Sequence, residues 1–452
     1  MDPKTLGPSN RRDFSDEIQA RHTSLSTSLL IGFPFLIALS AISTLLVILS
    51  PDAGPVAAIA PLLLCVTSKS VRPLLAACFA GNMLMLFGAA GEVEYLGYLT
   101  IDSSTSAFAI AFSNVFAISI ATISNRSFSV SRDKATQIVP LSLHAFLLIG
   151  SAVVLLARFT SGIPLLQGDA SRLNGLLTVN PYLGLLSGVL PITAAFLTSK
   201  KSKLTVTLKV IVAILVLGTA SRLLLGGYLV GLATSSSLMS TGRVGKRQRF
   251  YIVLGGVLAI VSIIKIYTAR TAEGIQQVYE NRLQDIGGVA GWISDILGPS
   301  IFYAARNGLV VHEVLQNYDS RPPNGFIFGG LLHAINLAPD PELWMTTAVG
   351  FSATSVGAVA TPVWAGANAD FGSIGGLLVA AIMGALMAFV LRWVPNLRNW
   401  FAFGILLSFY GSYLVSMQFL AASVVITGVV LWNNARLSRD SDASKLPLAS
   451  KV

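Results

Sequence analysis

Apolar runs follow one another along this chain with short polar breaks between them, and their length limits what they can be. A helix rises 1.5 Å per residue, so roughly 20 apolar residues cross a hydrocarbon core of ~30 Å. Runs of that kind lie near residues 27–49, 73–90, 105–124, 137–157, 179–198, 204–220, 222–238, 250–267 and 373–392. Residues 53–68 form a shorter, proline-interrupted run, and 401–432 are too long for one upright helix and barely enough for two. The ten-residue alternation of an outer-membrane barrel is absent, and only helices or closed barrels satisfy the backbone in lipid. The pattern predicts an all-α polytopic membrane protein with about 12 transmembrane helices, within 10–14. The first run follows a polar stretch of about 26 residues and has no small-residue cleavage site after it, so it reads as an anchor and not a signal peptide.

The polar breaks are unequal. The longest departure from the pattern runs from about residue 268 to 372, before the last clear single run. Excursions of that length are usually functional. Within it, "TAEGIQQVYENRLQDIGG" places Ile275, Val278, Tyr279, Leu283 and Ile286 at helical spacing, with Arg282 at the edge of the apolar face. That describes either an amphipathic helix lying on the membrane or a packed helix of an outer subdomain. "PSIFYAARNGLVVHEVLQNY" opens with Pro299 and sets Arg306, Val310 and Glu313 along one stripe, with His312 off it. "RPPNGFIFGGLLHAINLAPDPELW" is a turn-rich connector holding a short apolar piece with His333. "TPVWAGANADFGSIGG" leads into the next run, with Asp370 placed to cap it. Gly227 and Gly231, and Gly376, Ala380 and Gly384, have the four-residue spacing that lets membrane helices pack closely.

Charge then assigns sides. Lys69 and Arg72; Arg126, Arg132 and Lys134; Lys200, Lys201 and Lys203; Arg243, Lys246, Arg247 and Arg249; Arg392 and Arg398; and Arg436 and Arg439 fall in breaks that alternate with the runs. The positive-inside rule places all of these, and both termini, in the cytoplasm. The net charge of +10 therefore needs no nucleic acid to explain it. The expected layout is a mobile polar cytoplasmic tail at 1–24, N-terminal transmembrane helices over 25–267, a large periplasmic loop region over 268–372, C-terminal transmembrane helices over 373–434, and a second mobile tail at 435–452.

This topology leaves Arg158, Arg172, Arg222, Lys265, Arg270, Arg282, Arg306 and Arg321 on the outer side, seven of the eight being arginine. Topogenesis does not call for them there, and lysine would anchor an interface as well. Arginine forks onto carboxylates and phosphates with two parallel bonds. Snorkelling, or pairing with Glu280, Asp285 and Glu313, is the competing reading of any one of them. The sequence shows no Walker A pattern, zinc-ligand spacing or nucleophile elbow. Cys65 and Cys78 fall in or beside apolar runs, where thiols behave as small hydrophobes.

Three features together resemble the Wzy-type O-antigen and polysaccharide repeat-unit polymerases: ten or more spans, "TASRLLLGG" opening a helix, and a large late outward loop ending in "TPVWAGANADFGSIGG". Ser221 and Arg222 match the family's Ser-Arg helix start, with leucine following in place of the usual glycine. Thr361, Pro362, Phe371, Gly372 and Gly375 match its "TP…FG..G" run. The resemblance implies a GT-C-like architecture in the bacterial inner membrane. It implies polymerisation of undecaprenyl-diphosphate-linked repeat units at the periplasmic face, by transfer of a growing glycan onto the next lipid-linked unit. The partners would be those glycans, membrane lipids and a chain-length regulator protein.

Negative charge grows on the diphosphate as the glycosidic bond breaks, and fixed arginines aimed at it stabilise the transition state without a metal or other cofactor. Arg222, Arg282 and Arg306 are the first candidates to hold it, followed by Arg270 and Arg321. His333, Glu313 and Glu280 are the candidate bases for the acceptor hydroxyl. An O-antigen ligase would use the same donor. A flippase or secondary transporter would use the arginines to grip an anionic cargo.

Overall fold

The computed structural model describes residues 33–89, 101–125, 141–163, 181–197, 202–219, 221–239, 306–317, 322–334, 337–339, 341, 344, 361–394, 397–409, 419–429 and 431–432. Its regular structure is all helical, with no strand among the described residues. In chain order, α1 is Phe33–Leu49, and a turn at Pro51–Ala53 and a single helical turn at Gly54–Ala57 lead to α2, Ala60–Thr67. There follow α3 Arg72–Ala89, α4 Ser103–Asn125, α5 Leu141–Arg158, α6 Pro181–Phe196, α7 Lys203–Gly218 and α8 Arg222–Met239. Then come α9 at 306–317, α10 Ile327–Ala334, α11 Val363–Trp393, α12 Arg398–Ser408 and α13 Phe419–Val429. Arg72–Ala89, Ser103–Ser124, Leu141–Arg158 and Val363–Trp393 are long and apolar enough to cross a membrane. The predicted run at 250–267 lies outside the described residues.

Short polar residues set the helix starts. Asp102 Oδ1 accepts from the Ser104 amide at 3.0 Å ahead of α4. Ser202 and Thr205 exchange amide and hydroxyl bonds in a capping box ahead of α7. The Ser221 hydroxyl accepts from the Leu224 amide at 3.4 Å, which makes Arg222 the first residue of α8.

The proline-interrupted run at 53–68 breaks for a local reason. Pro61 has no amide hydrogen for the Ala57 carbonyl four residues back. Asn114 Nδ2 takes that carbonyl at 2.9 Å, and Asn82 Nδ2 takes Ala58 at 3.2 Å while also bonding Asn114 Oδ1 at 3.0 Å. Freed backbone acceptors inside an apolar bundle are thus satisfied by side chains from α3 and α4.

Within the long run at 401–432, left open between one helix and two, the described residues form α12 and α13. One expectation changes. Asp370, expected to cap the last long helix, sits inside α11, which already starts at Val363 behind Pro362. At Gly372 the backbone takes φ 70 and ψ 177, so α11 bends there and residues 363–371 form a separate arm. The Asp370 carboxylate caps α10 instead, accepting from the Phe326 amide at 2.8 Å and the Ile327 amide at 2.8 Å.

α4 and α11 pack along most of their length. A Cβ on Gly384 would stand 2.7 Å from the Phe116 carbonyl oxygen, and one on Gly231 2.7 Å from Ala195 Cβ, so the small-residue stripes do seat neighbouring helices. α6 lies between α5 and α8, α7 rests on α5, and α12 on α3. At the lower end of the bundle, Trp400 stacks on Phe419 at 4.5 Å and its Nε1 donates to Ser423 at 2.8 Å. At the upper end lie the last turn of α3, the start of α4, α9 and the α11 arm. Phe146, Ile214, Leu378 and Leu386 face outward, the apolar belt expected of helices in lipid.

Candidate functional site

The upper end brings polar and charged side chains from α4, α9 and the α11 arm together. α9 reaches it closely: a Cβ on Gly308 would meet the Phe409 carbonyl oxygen at 2.6 Å and Pro362 at 3.1 Å. That lack of a side chain lets α9 settle between the end of α12 and the start of α11.

Arg306, the first described residue of α9, is fully buried and donates from Nη1 to the Gly88 carbonyl at 3.0 Å. Gly88 lies in the last turn of α3, where unsatisfied carbonyls favour a cation. Burial pushes the guanidinium pKa down from its ordinary value. In this conformation Arg306 ties α9 to α3.

About two turns further on, α9 presents His312 and Glu313 to α4. Glu313 Oε1 accepts from the Thr105 hydroxyl at 2.6 Å and from the Asp102 amide at 3.1 Å. Thr105 Oγ1 also lies 3.2 Å from His312 Nδ1, and His312 Nε2 lies 2.7 Å from Asn368 Nδ2 and 3.3 Å from Gln316 Nε2. The imidazole is held between the Phe108 ring, 5.8 Å away and nearly parallel, and the Trp364 ring, 5.2 Å away. Burial pushes its pKa down to about 4, so it is neutral at pH 7.

Hydrogen counting fixes the roles. Thr105 has one hydroxyl hydrogen, and it goes to Glu313 Oε1. His312 Nδ1 must then carry the hydrogen that Thr105 accepts, which leaves Nε2 to accept from Asn368. The chain runs Asn368 to His312 to Thr105 to Glu313, each donating to the next. Trp364 Nε1 and Asn368 Oδ1, both buried beside the imidazole, have no hydrogen-bond partner among the described residues.

The predicted site residues separate into four sets. Arg306 and Glu313 come together at the upper end, on the face of α9 that meets α3 and α4. Arg222 opens α8, and α8 lies against α12 with Gly226 at Phe403 and Thr234 at Asn399, which puts Arg222 toward the same end as Phe409 and α9. His333 lies on α10, whose start is capped by Asp370 of the α11 arm. Glu280, Arg282, Arg270 and Arg321 lie outside the described residues.

Sequence reasoning missed His312, Thr105 and Asn368. Thr105 reads as an ordinary helix-start residue, and His312 falls off the Arg306–Glu313 stripe. Asn368 carried the one available signal, a polar side chain four residues after Trp364 in an arm whose other polar side chain is Asp370. Among the described residues no group of three or more His, Cys, Asp and Glu is placed to hold a metal ion, and Cys65 and Cys78 are free thiols. Comparison with protein-family models, with curated proteins and with solved structures found no match.

Proposed function

We propose that the chain is a membrane glycosyltransferase that polymerises undecaprenyl-diphosphate-linked repeat units at the outer face of a bacterial inner membrane. In this reading the chain makes about 12 crossings in a GT-C-like arrangement, with both termini in the cytoplasm and residues 268–372 outside. The upper end of the bundle then faces the periplasm. The observation that carries the reading is the half-buried Glu313 carboxylate, anchored through one oxygen at the end of the bundle toward which Arg222 opens α8. A transfer from a lipid diphosphate needs that pairing of an acceptor for the hydroxyl proton with cations for the leaving group. Of the three candidate bases, Glu313 is favoured by its anchoring. Arg222 serves the diphosphate, and Arg306 supports the site from behind by holding α9 on α3.

The test is reconstitution with undecaprenyl-diphosphate-linked repeat units and separation of the products by length. The wild-type protein gives a ladder, and Arg222→Ala, inserted normally, loses about 10²–10³-fold in rate, the usual cost of one group that stabilises developing charge. A full ladder from Arg222→Ala removes that side chain from the mechanism. Single transfer to a lipid A core acceptor, with no lengthening of lipid-linked chains, makes the protein a ligase.

One observation favours a second reading. α11 is broken at Gly372 and residues 363–368 of its arm are buried, the discontinuous-helix geometry that transporters use near a substrate. Movement of the lipid-linked unit across sealed vesicles with no covalent product would establish a flippase instead.

A further inference from the structure

We propose that His312 is a positioning residue: through Thr105 it holds the Glu313 carboxylate so that Glu313 Oε2 takes the proton of the acceptor hydroxyl. The inference rests on the glycosyltransferase reading above and assigns the part of the site that the arginines leave open. Both of Glu313's hydrogen bonds among the described residues fall on Oε1, so Oε2 is the oxygen left for a substrate. A carboxylate on a long side chain is a poor base unless its direction is fixed. Thr105 fixes it only if its hydroxyl hydrogen points at Glu313, and the Nδ1–H of His312 enforces that by occupying the hydroxyl's acceptor side.

The imidazole is itself over-determined. Phe108 and Trp364 set its plane, and the Asn368 amide at 2.7 Å holds Nε2 as an acceptor and selects the tautomer. This is the arrangement by which an outer group orients the one that does the chemistry. It also gives the α11 arm a purpose, because Asn368, on the arm before the Gly372 bend, reaches His312 Nε2. In the reaction, the acceptor oxygen forms a new bond to the anomeric carbon. The bond from that carbon to the diphosphate oxygen breaks, its electron pair leaves with the diphosphate, and the hydroxyl proton passes to Glu313 Oε2.

Asparagine at 312 keeps a nitrogen at the branch point where Nδ1 stands, whereas glutamine keeps one where Nε2 stands. Thr105→Val removes the hydroxyl at constant shape, and Thr105→Ser restores it. With undecaprenyl-diphosphate-linked repeat units as substrate, His312→Gln and Thr105→Val should lower kcat by about 10–100-fold with KM little changed, and His312→Asn and Thr105→Ser should recover most of it. The full chain holds only 4 histidines, so ¹⁵N-histidine spectra can assign the tautomer directly, and His312 should show a protonated Nδ1. An active wild type whose His312→Gln and Thr105→Val variants keep the wild-type kcat, or a His312 protonated on Nε2, overturns the positioning role alone. A correctly inserted wild type that makes no ladder overturns the glycosyltransferase reading first, and this role with it.

Discussion

Trp364 and Trp400 are both buried, both on helices that close the bundle, and they meet opposite fates. Trp400 stacks flat on Phe419, meets Phe196 edge-on and donates its indole hydrogen to Ser423, whose own hydroxyl hydrogen goes to the Phe419 carbonyl. Every polar atom in that group has a partner. Trp364 packs against Phe108 and His312 with its indole nitrogen unpartnered among the described residues, beside an Asn368 oxygen in the same condition. A folded chain tolerates unsatisfied buried polar atoms mainly where they serve something other than stability. The Trp400 group is satisfied within itself, and the Trp364 group is not.

The largest effect expected from breaking this contrast is at the lower end. Trp400→Ala removes a large ring from a packed group that also seats Gly227 and costs about 3–5 kcal/mol, the range for aromatic truncation in a core. Unfolding in detergent micelles should show it as a large fall in Tm. A loss under 1 kcal/mol would mean that the lower end is not the packed anchor described.

Next in size is a pH effect that the upper end contributes through His312. The His312 pKa falls to about 4 in the folded protein, against ~6.5 for an exposed histidine. Between those values the unfolded chain binds a proton that the folded one does not. Stability is complete above about pH 6.5 and declines as pH drops toward 4, by up to ~3 kcal/mol at 1.36 kcal/mol per pKa unit. Measured at pH 7.5 and pH 4.5, the wild-type Tm should fall further than that of His312→Asn. Equal falls would show that the imidazole stays neutral for no energetic reason of its own.

The two ends also differ in how far the sequence discloses them. Helix positions were legible because apolar run length carries them: α3 at 72–89 and α8 at 222–239 lie within a residue or two of the runs read at 73–90 and 222–238. The small-residue stripes were legible because four-residue spacing has one geometric meaning, close approach. The site was legible only in part. Arg306 and Glu313 stood out as charges in an apolar context, but their partners, a glycine carbonyl and a threonine hydroxyl from distant helices, have no signature in sequence. Asp370 was misplaced for the same reason. A carboxylate beside a helix start reads as that helix's cap, and nothing local reveals that the start lies further back at Val363 and that the carboxylate serves α10.

Gly372 tests whether the upper end depends on its bend. Its φ of 70 with ψ 177 belongs to a region that only glycine enters freely, and a Cβ there would meet nothing within 4 Å. Gly372→Ala therefore costs backbone strain without a clash, about 1–3 kcal/mol. If the strain is relieved by straightening α11, Asn368 leaves His312 and the imidazole pKa rises toward its ordinary value, visible by ¹⁵N NMR. An unchanged imidazole with a reduced Tm would show that the bend holds even at that cost.

The smallest effect is the sharpest comparison, because it asks the same question of both tryptophans. Replacing each by phenylalanine removes the indole nitrogen and part of the ring. At Trp400 this strips Ser423 of its donor and costs about 1–2 kcal/mol from the lost bond and the lost area. At Trp364 the area loss is similar, but the nitrogen removed is one whose desolvation was never compensated, and relief of that penalty offsets the loss. Trp364→Phe should therefore be close to neutral in Tm while Trp400→Phe is clearly destabilised. Equal destabilisation of the two would mean that the Trp364 nitrogen is bonded in the membrane, to a water or to substrate, and would place a ligand group beside His312.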